Sequence, residues 1–386
     1  MEKANGTDFA PGMVKESLHK GVLKRLPLRN MDKLLLFSAV ALSCFGVLMV
    51  YSATRAGSNP TYYIRRHVVY LIIGLIAMFA GAGFDYRKLM PYSRWLYGVS
   101  VFLLMAVFVF PARGGSHRWI NLGFFDFQPS ELAKLAVIIL IATFVADRRM
   151  EPPGGREFLY VLGITGIPML LIFAEPDLGT TLLLFAVMVG MLMLGGARVG
   201  QMVFLGVSTV GLFALAVELR ILKTYQLSRL LVFIKPDMDP LESGYNLMQS
   251  KIAIGSGQLL GKGLFRGTQT NLKFIPAHHT DFIFAVVAEE LGFMGAALLL
   301  ALLTVFIWRA FRIAAAAKDH FGNMLAVGIV LMMLYQVLVN VGMTMGIMPT
   351  TGITLPFMSY GGTSLILNLF CTGLLLNIGM RRFPQG

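Results

Sequence analysis

The sequence predicts an all-α polytopic membrane protein of about ten transmembrane helices with both termini cytoplasmic, and three observations carry that prediction. Hydrophobic residues fill 56% of the 386 positions and charged residues only 14%, against about a quarter charged in soluble domains. A water-soluble fold of this size cannot hide so much apolar surface, which excludes a cytosolic globular enzyme; the same composition excludes intrinsic disorder. The apolar residues gather into runs close to the roughly 20 residues that a bilayer-spanning helix needs. Lys and Arg crowd alternate connections, the bias that orients a chain in a membrane.

Residues 1–33 are read as a cytoplasmic segment carrying seven Lys or Arg. The segment is too long and too charged for a signal peptide, and no small-residue cleavage site follows the first apolar run. A single membrane domain, 34–380, comes next, with a short cytoplasmic tail at 381–386. Its spans are 34–52, 67–84, 96–111, 131–146, 158–174, 179–195, 200–218, 282–306, 322–346 and 362–380. Ten spans put both termini on one side. That side also collects Arg87, Lys88, Arg148, Arg149, Arg309 and Arg312 among others, whereas the opposite short loops hold only Arg55, Arg65, Arg66, Arg113 and Arg118. The basic side is therefore cytoplasmic. The long connection 219–281, between spans seven and eight, is extracytoplasmic despite its basic residues, because long loops largely escape the rule. The net charge of +13 points to an anionic membrane surface or an anionic substrate rather than to nucleic acid. Cys44 and Cys371 lie inside apolar runs, so neither a disulfide framework nor zinc-type spacing is present.

The polar segments cluster outside, in the 112–130, 219–281 and 347–361 loops, while the cytoplasmic loops are short and basic. Glu131 and Lys134 are three residues apart and share one face of the fourth span, with Pro129 suited to the helix start. They read either as a structural ion pair or as the wall of a polar cleft that meets a charged ligand; ionisable groups in a span favour function. Asp281 stands at the mouth of the eighth span, as a helix-terminus charge or as a reacting group. Glu289 and Glu290, about 12 Å further along, are adjacent and point to different faces, which reads as structure. His278 and His279 lack the spacing of a helical zinc site. The run Gly255–Gly263 fails as a phosphate loop, since Gly263 stands where Ser or Thr is needed; it reads as flexible backbone around a re-entrant or interfacial helix, 244–254. Residues 348–364 carry two prolines and several glycines in an apolar context, the pattern of a re-entrant segment.

Several stretches together resemble the SEDS family (shape, elongation, division and sporulation), most closely its elongation branch. They are Arg118–Lys134, Glu175–Thr180, Asp239-Pro240 through Gly244-Tyr245, Gln249–Gly257, His279–Ala285 through Ala288–Gly292, and Leu355-Pro356 through Ser359–Gly362. The Gln249–Gly257 run points to elongation over division. Glu175, where many relatives have Asp or Gln, and the long leading segment depart from the pattern. The resemblance implies a peptidoglycan glycosyltransferase that polymerises lipid II, with a class B penicillin-binding protein as transpeptidase partner. It makes Asp281 the essential aspartate and Arg118, Glu131 and Lys134 functional positions; His279 and Ser359, inside matching stretches, join them as candidate substrate-binding residues.

The residue chemistry agrees. Glycan polymerisation needs a base for a sugar hydroxyl and cations for a departing diphosphate, which needs no proton, so one carboxylate with Lys and Arg suffices. Glycosidic hydrolysis instead requires two carboxylates. A divalent cation, Mg²⁺ or Mn²⁺, could share the diphosphate's charge, although the sequence shows no metal site. The rival readings are a lipid II flippase and a non-catalytic scaffold. Outward clustering of the polar loops, with no paired broken helices in inverted halves, disfavours the first; the second leaves Asp281, Glu131 and Lys134 without a purpose.

Overall fold

A computed structural model describes residues 31–57, 59–111, 116–121, 123, 125–219, 243–272, 274 and 279–382. Readings that concern residues 1–30, 220–242, His278 and 383–386 lie outside the described residues. Among the described residues ten long helices lie in order where the ten spans are expected; nine are long and apolar enough to cross a membrane, and the sixth is a shorter apolar helix. They are α1 (Lys33–Thr54), α2 (Pro60–Gly83), α3 (Leu89–Ala106), α4 (Pro129–Asp147), α5 (Gly155–Ala174), α6 (Leu178–Leu194), α7 (Val199–Glu218), α10 (Ile283–Ala315), α11 (His320–Met345) and α12 (Gly362–Arg381). Two shorter helices, α8 (Ser243–Ser256) and α9 (Thr268–Asn271), lie between α7 and α10. A two-residue ribbon, β1 (Ile120–Asn121) against β2 (Asp126–Phe127), precedes α4.

Local chemistry sets the helix ends. The Asp32, Asp177 and Asp319 carboxylates accept backbone N–H bonds at the starts of α1, α6 and α11, and Pro60 and Pro129 occupy first turns, where a missing N–H costs nothing. α4, α11 and α12 are the interior of the bundle. α12 packs tightly on α2 because glycines let the backbones approach: a Cβ at Gly373 would stand 2.1 Å from the Met78 carbonyl oxygen. By contrast α7 buries only Leu205 and exposes apolar side chains such as Val207, Val210 and Leu212, the surface expected of a helix in lipid.

The eighth span differs from its expected form. Gly292 has φ 66°, ψ −162° and divides α10 into two segments. The Ser52 hydroxyl, near the end of α1, donates to Glu290 at 2.6 Å, and Arg309 Nη2 reaches Asp32 Oδ2, at the start of α1, at 2.5 Å. The second segment of α10 thus runs the whole length of α1, and residues 283–291 are a separate half-helix at the Ser52 end. The expectation of flexible backbone at Gly255–Gly263 is also corrected. Gln258 and Leu259 carbonyls accept from Phe293 and Met294 N–H, while Lys262 and Gly263 N–H donate to the Glu289 and Glu290 carbonyls. These bonds replace the ones the break removes. A Cβ at Gly257 would lie 1.9 Å from the Ala288 oxygen and one at Gly261 2.1 Å from that of Glu290. The glycines permit a rigid clamp.

The re-entrant reading of the last loop holds. A Cβ at Gly46 of α1 would stand 2.4 Å from the Phe357 carbonyl oxygen, and Gly46 lies about 12 Å inside the end of α1 at 1.5 Å per residue. The loop backbone is satisfied by protein, as that depth demands: Leu355 N–H donates to Ser359 Oγ at 2.8 Å, and the Ile353 carbonyl accepts from Asn340 Nδ2 at 2.7 Å.

Candidate functional site

The N-terminal ends of four helices, α4, α6, the first half of α10, and α12, meet around one cavity of about 220 Å³, between the 116–121 loop and the re-entrant segment. Each end presents a positive dipole, an arrangement that favours anions. Arg118, Glu131, Lys134 and Asp281, four of the residues singled out in the sequence, line this cavity. Lys134 Nζ lies 2.8 Å from Glu131 Oε1, with both side chains almost fully buried. Glu131 Oε2 has no hydrogen-bond partner, so the pair exists but is only half satisfied from within the protein. Arg118 donates from Nε to the Glu175 carbonyl at 3.0 Å and also reaches the Pro176 carbonyl, which fixes the 116–121 loop to the α5–α6 turn.

Asp281 is held through the backbone. Tyr360 N–H donates to the His279 carbonyl at 2.9 Å, the Ser359 hydroxyl to the Thr280 carbonyl at 2.6 Å, and Asn340 Nδ2 to the Asp281 carbonyl at 2.8 Å. Three consecutive carbonyls are thus fastened to the re-entrant segment and to α11. Ser359, expected at the substrate, does not line the cavity; it holds the turn that carries Asp281. His279 lies in a neighbouring cavity rather than in this one.

Glu289 and Glu290 are structural, as their adjacency suggested. Glu289 accepts from Lys262 Nζ at 2.8 Å, from the Gln269 and Thr270 N–H groups, and from the Thr268 and Thr270 hydroxyls. Glu290 accepts from Ser52 Oγ and Phe265 N–H.

Sequence reasoning missed Asp177, Gln336 and Asn340. Asp177 and Gln336 line the cavity. Gln336 Oε1 is buried without a partner. Gln336 and Asn340 are four apart on an apolar helix, a polar pair on one face that was a legible signal. Glu175, which departs from the family pattern, is fully buried at the turn beside Arg118, and neither carboxyl oxygen has a hydrogen-bond partner. Burial, reinforced by the charge of Asp177 against the opposing pull of Arg118, pushes its pKa up to about 9, so it is neutral at physiological pH. Among the described residues no group of three His, Cys, Asp or Glu side chains is placed to hold a metal ion.

Residues 32–383 match the family model for the FtsW, RodA and SpoVE cell cycle proteins. The chain is 39% identical over 356 residues to stage V sporulation protein E of Bacillus subtilis, covering 90% of this chain and 96% of that protein. It is 38% identical to the peptidoglycan glycosyltransferase MrdB of Escherichia coli K12, covering 92% and 94%. Among solved structures it resembles a chain from a study of polymerization and crosslinking by a peptidoglycan synthase complex, with TM-score 0.75, 32% identity and 92% and 98% coverage. It also resembles the rod shape determining protein RodA of Thermus thermophilus, with TM-score 0.68, 30% identity and 92% and 98% coverage.

Proposed function

The chain belongs to the SEDS family of FtsW, RodA and SpoVE proteins and is a multi-pass peptidoglycan glycosyltransferase, and from that premise we propose that it polymerises lipid II at the outer face of the bacterial inner membrane. The observation that carries this is the convergence of Asp281, Lys134 and Arg118 on one cavity ringed by helix N-termini. The bundle end opposite that cavity carries the basic connections, Arg87, Arg148, Arg309 and Arg381 among them, each ion-paired to a carboxylate. The positive-inside bias makes that end cytoplasmic and the cavity periplasmic.

In this reading the sugar hydroxyl of the acceptor attacks the anomeric carbon of the donor. The bond from that carbon to the diphosphate oxygen breaks, and the diphosphate leaves with the electron pair on its lipid. Asp281 takes the hydroxyl proton. Lys134, Arg118 and the helix N-termini steady the charge that develops on the diphosphate, the largest kind of contribution available in a dry site. A cavity of about 220 Å³ is below the usual size for a whole drug-sized ligand, so it takes the reacting end of the substrate while the polyprenyl chain stays in lipid. We assign the chain to the elongation branch on its Gln249–Gly257 run. Its transpeptidase partner is a class B penicillin-binding protein whose membrane helix docks on the apolar outer face of α10 or α11.

The test is purified protein in detergent with labelled lipid II. Detergent offers no two leaflets, so a flippase makes no product and a polymerase makes glycan. Asp281→Asn should lower polymerisation by about 10²–10⁴-fold, the usual weight of general-base catalysis, with folding and partner binding intact. Near-normal synthesis by that variant would falsify the assignment. Partial recovery of the variant at raised Mg²⁺ or Mn²⁺ would reassign Asp281 as a ligand of an ion brought in with the diphosphate.

A further inference from the structure

Beside the reaction cavity lies a second one, of about 260 Å³, with a different lining. The two share Trp119, Thr280, Tyr360 and Gly361; the second adds Tyr70, Asp126 and His279, and lacks Lys134 and Arg118. Its wall is an aromatic cluster. Tyr360 stands 5.7 Å from the His279 ring, 6.3 Å from Tyr70 and 5.4 Å from Tyr63, and Tyr70 meets Phe125 at 5.6 Å. Asp126, on β2, is oriented by Arg66 at 3.5 Å and keeps about a quarter of its side chain exposed. The β-ribbon that carries it is fixed to the start of α12, where the Thr363 hydroxyl donates to the Asp126 carbonyl at 3.0 Å and accepts from Gln128 N–H at 3.2 Å.

We propose that this second cavity is the acceptor subsite, which binds the saccharide whose hydroxyl attacks. The proposal rests on the polymerase reading above and adds to it where the second sugar lies. Aromatic faces carry negative π density that suits the C–H face of a pyranose, and an ionised carboxylate accepts from sugar hydroxyls. Lys134 and Arg118 do not line it, and the nearby Arg66 is paired with Asp126, so the lining favours sugar over diphosphate. The position is right for the chemistry: Thr280, shared by both cavities, adjoins Asp281, so a sugar seated on Tyr360 and Trp119 lies next to the base. Asp126 holds that sugar and takes no proton in the reaction.

The experiment uses a tetrasaccharide of the peptidoglycan backbone that carries neither diphosphate nor lipid, with binding to the full chain in detergent followed by calorimetry. Asp126→Asn should weaken it by about tenfold or more, the loss of a charge-assisted hydrogen bond, while undecaprenyl diphosphate binds unchanged. His279→Ala, which removes a ring of the second cavity, should show the same selective loss and guards against a folding defect peculiar to residue 126. Polymerisation by Asp126→Asn should fall through a raised acceptor KM, with its pH profile unmoved. Wild-type tetrasaccharide affinity in both variants overturns the subsite, as does a wild-type chain that polymerises lipid II yet binds no tetrasaccharide. A wild-type chain that makes no glycan from lipid II overturns the polymerase reading instead, so the two failures are distinct.

Discussion

Glu131 and Glu289 are both buried glutamates, and each meets a lysine at 2.8 Å. Yet they sit in opposite situations. Glu289 spreads its two oxygens over five donors from Lys262 and the 268–270 turn. Glu131 accepts one bond from Lys134, and its second oxygen has no partner. Glu131 faces the reaction cavity; Glu289 faces the glycine-rich clamp. An ion pair by itself therefore says little about role. What separates structure from function is whether the protein satisfies the charge completely or leaves capacity for a ligand.

The sharpest way to break this contrast is to reverse the half-satisfied pair. Glu131→Lys combined with Lys134→Glu keeps an ion pair of the same reach and should leave folding close to wild type. It moves the cation away from the diphosphate, and polymerisation should fall by about 10²–10³-fold, the cost of removing a group aimed at developing charge. Recovered activity in the double variant would make the pair structural and erase the distinction from Glu289.

The complementary change is Glu289→Gln. An amide presents NH₂ where two or more donors now point, and Lys262 loses its counter-charge. Breaking so saturated a buried group should cost about 3 kcal/mol, read as a lower melting temperature and as faster proteolysis of the 257–272 segment. Activity should fall only as the folded fraction falls. A stable Glu289→Gln protein with lost turnover would place Glu289 in the chemistry.

Much of this was legible in the sequence. The order of the apolar helices, the buried Glu131–Lys134 face and the re-entrant last loop all follow from hydropathy, helical spacing and proline placement. The break in α10 was not, because an apolar run such as 283–306 reads the same whether or not one glycine within it is left-handed; only the pairing of Gln258 and Leu259 with Phe293 and Met294 reveals it. The role of Ser359 was also hidden. Its motif marked it as important, but a hydroxyl that bonds a carbonyl 79 positions earlier in the chain carries no local signature. Asn340 shares that fate, and it supplies the next test. Asn340→Leu frees the Asp281 carbonyl, and turnover should drop about tenfold through displacement of the base while KM for the donor holds, since the donor cavity keeps Lys134 and Arg118. A parallel change in KM would mean that the whole re-entrant segment had moved.

Glu175 extends the comparison to a third condition, a buried carboxyl with no hydrogen-bond partner at all. Burial raises its pKa from the ordinary 4.5 to about 9. Below pH 4.5 the group is protonated whether the chain is folded or not, so it costs the native state nothing. As pH climbs from there toward 9, the unfolded chain ionises and the native one does not, and native stability declines steadily across that window. Between pH 5 and pH 8 the loss should be on the order of 1 kcal/mol, given that a turn at the end of a span can relax and admit water. Glu175→Gln removes the titration and fills the same volume. Its melting temperature should be nearly flat over that range and should exceed the wild type's by a margin that grows with pH. Polymerisation should be unchanged, because the Arg118 bonds go to the backbone carbonyls of Glu175 and Pro176 and not to the carboxyl. Parallel pH profiles for the two proteins would show that Glu175 is ionised in the native state, paired through space with Arg118, and would move it into the same class as Glu131.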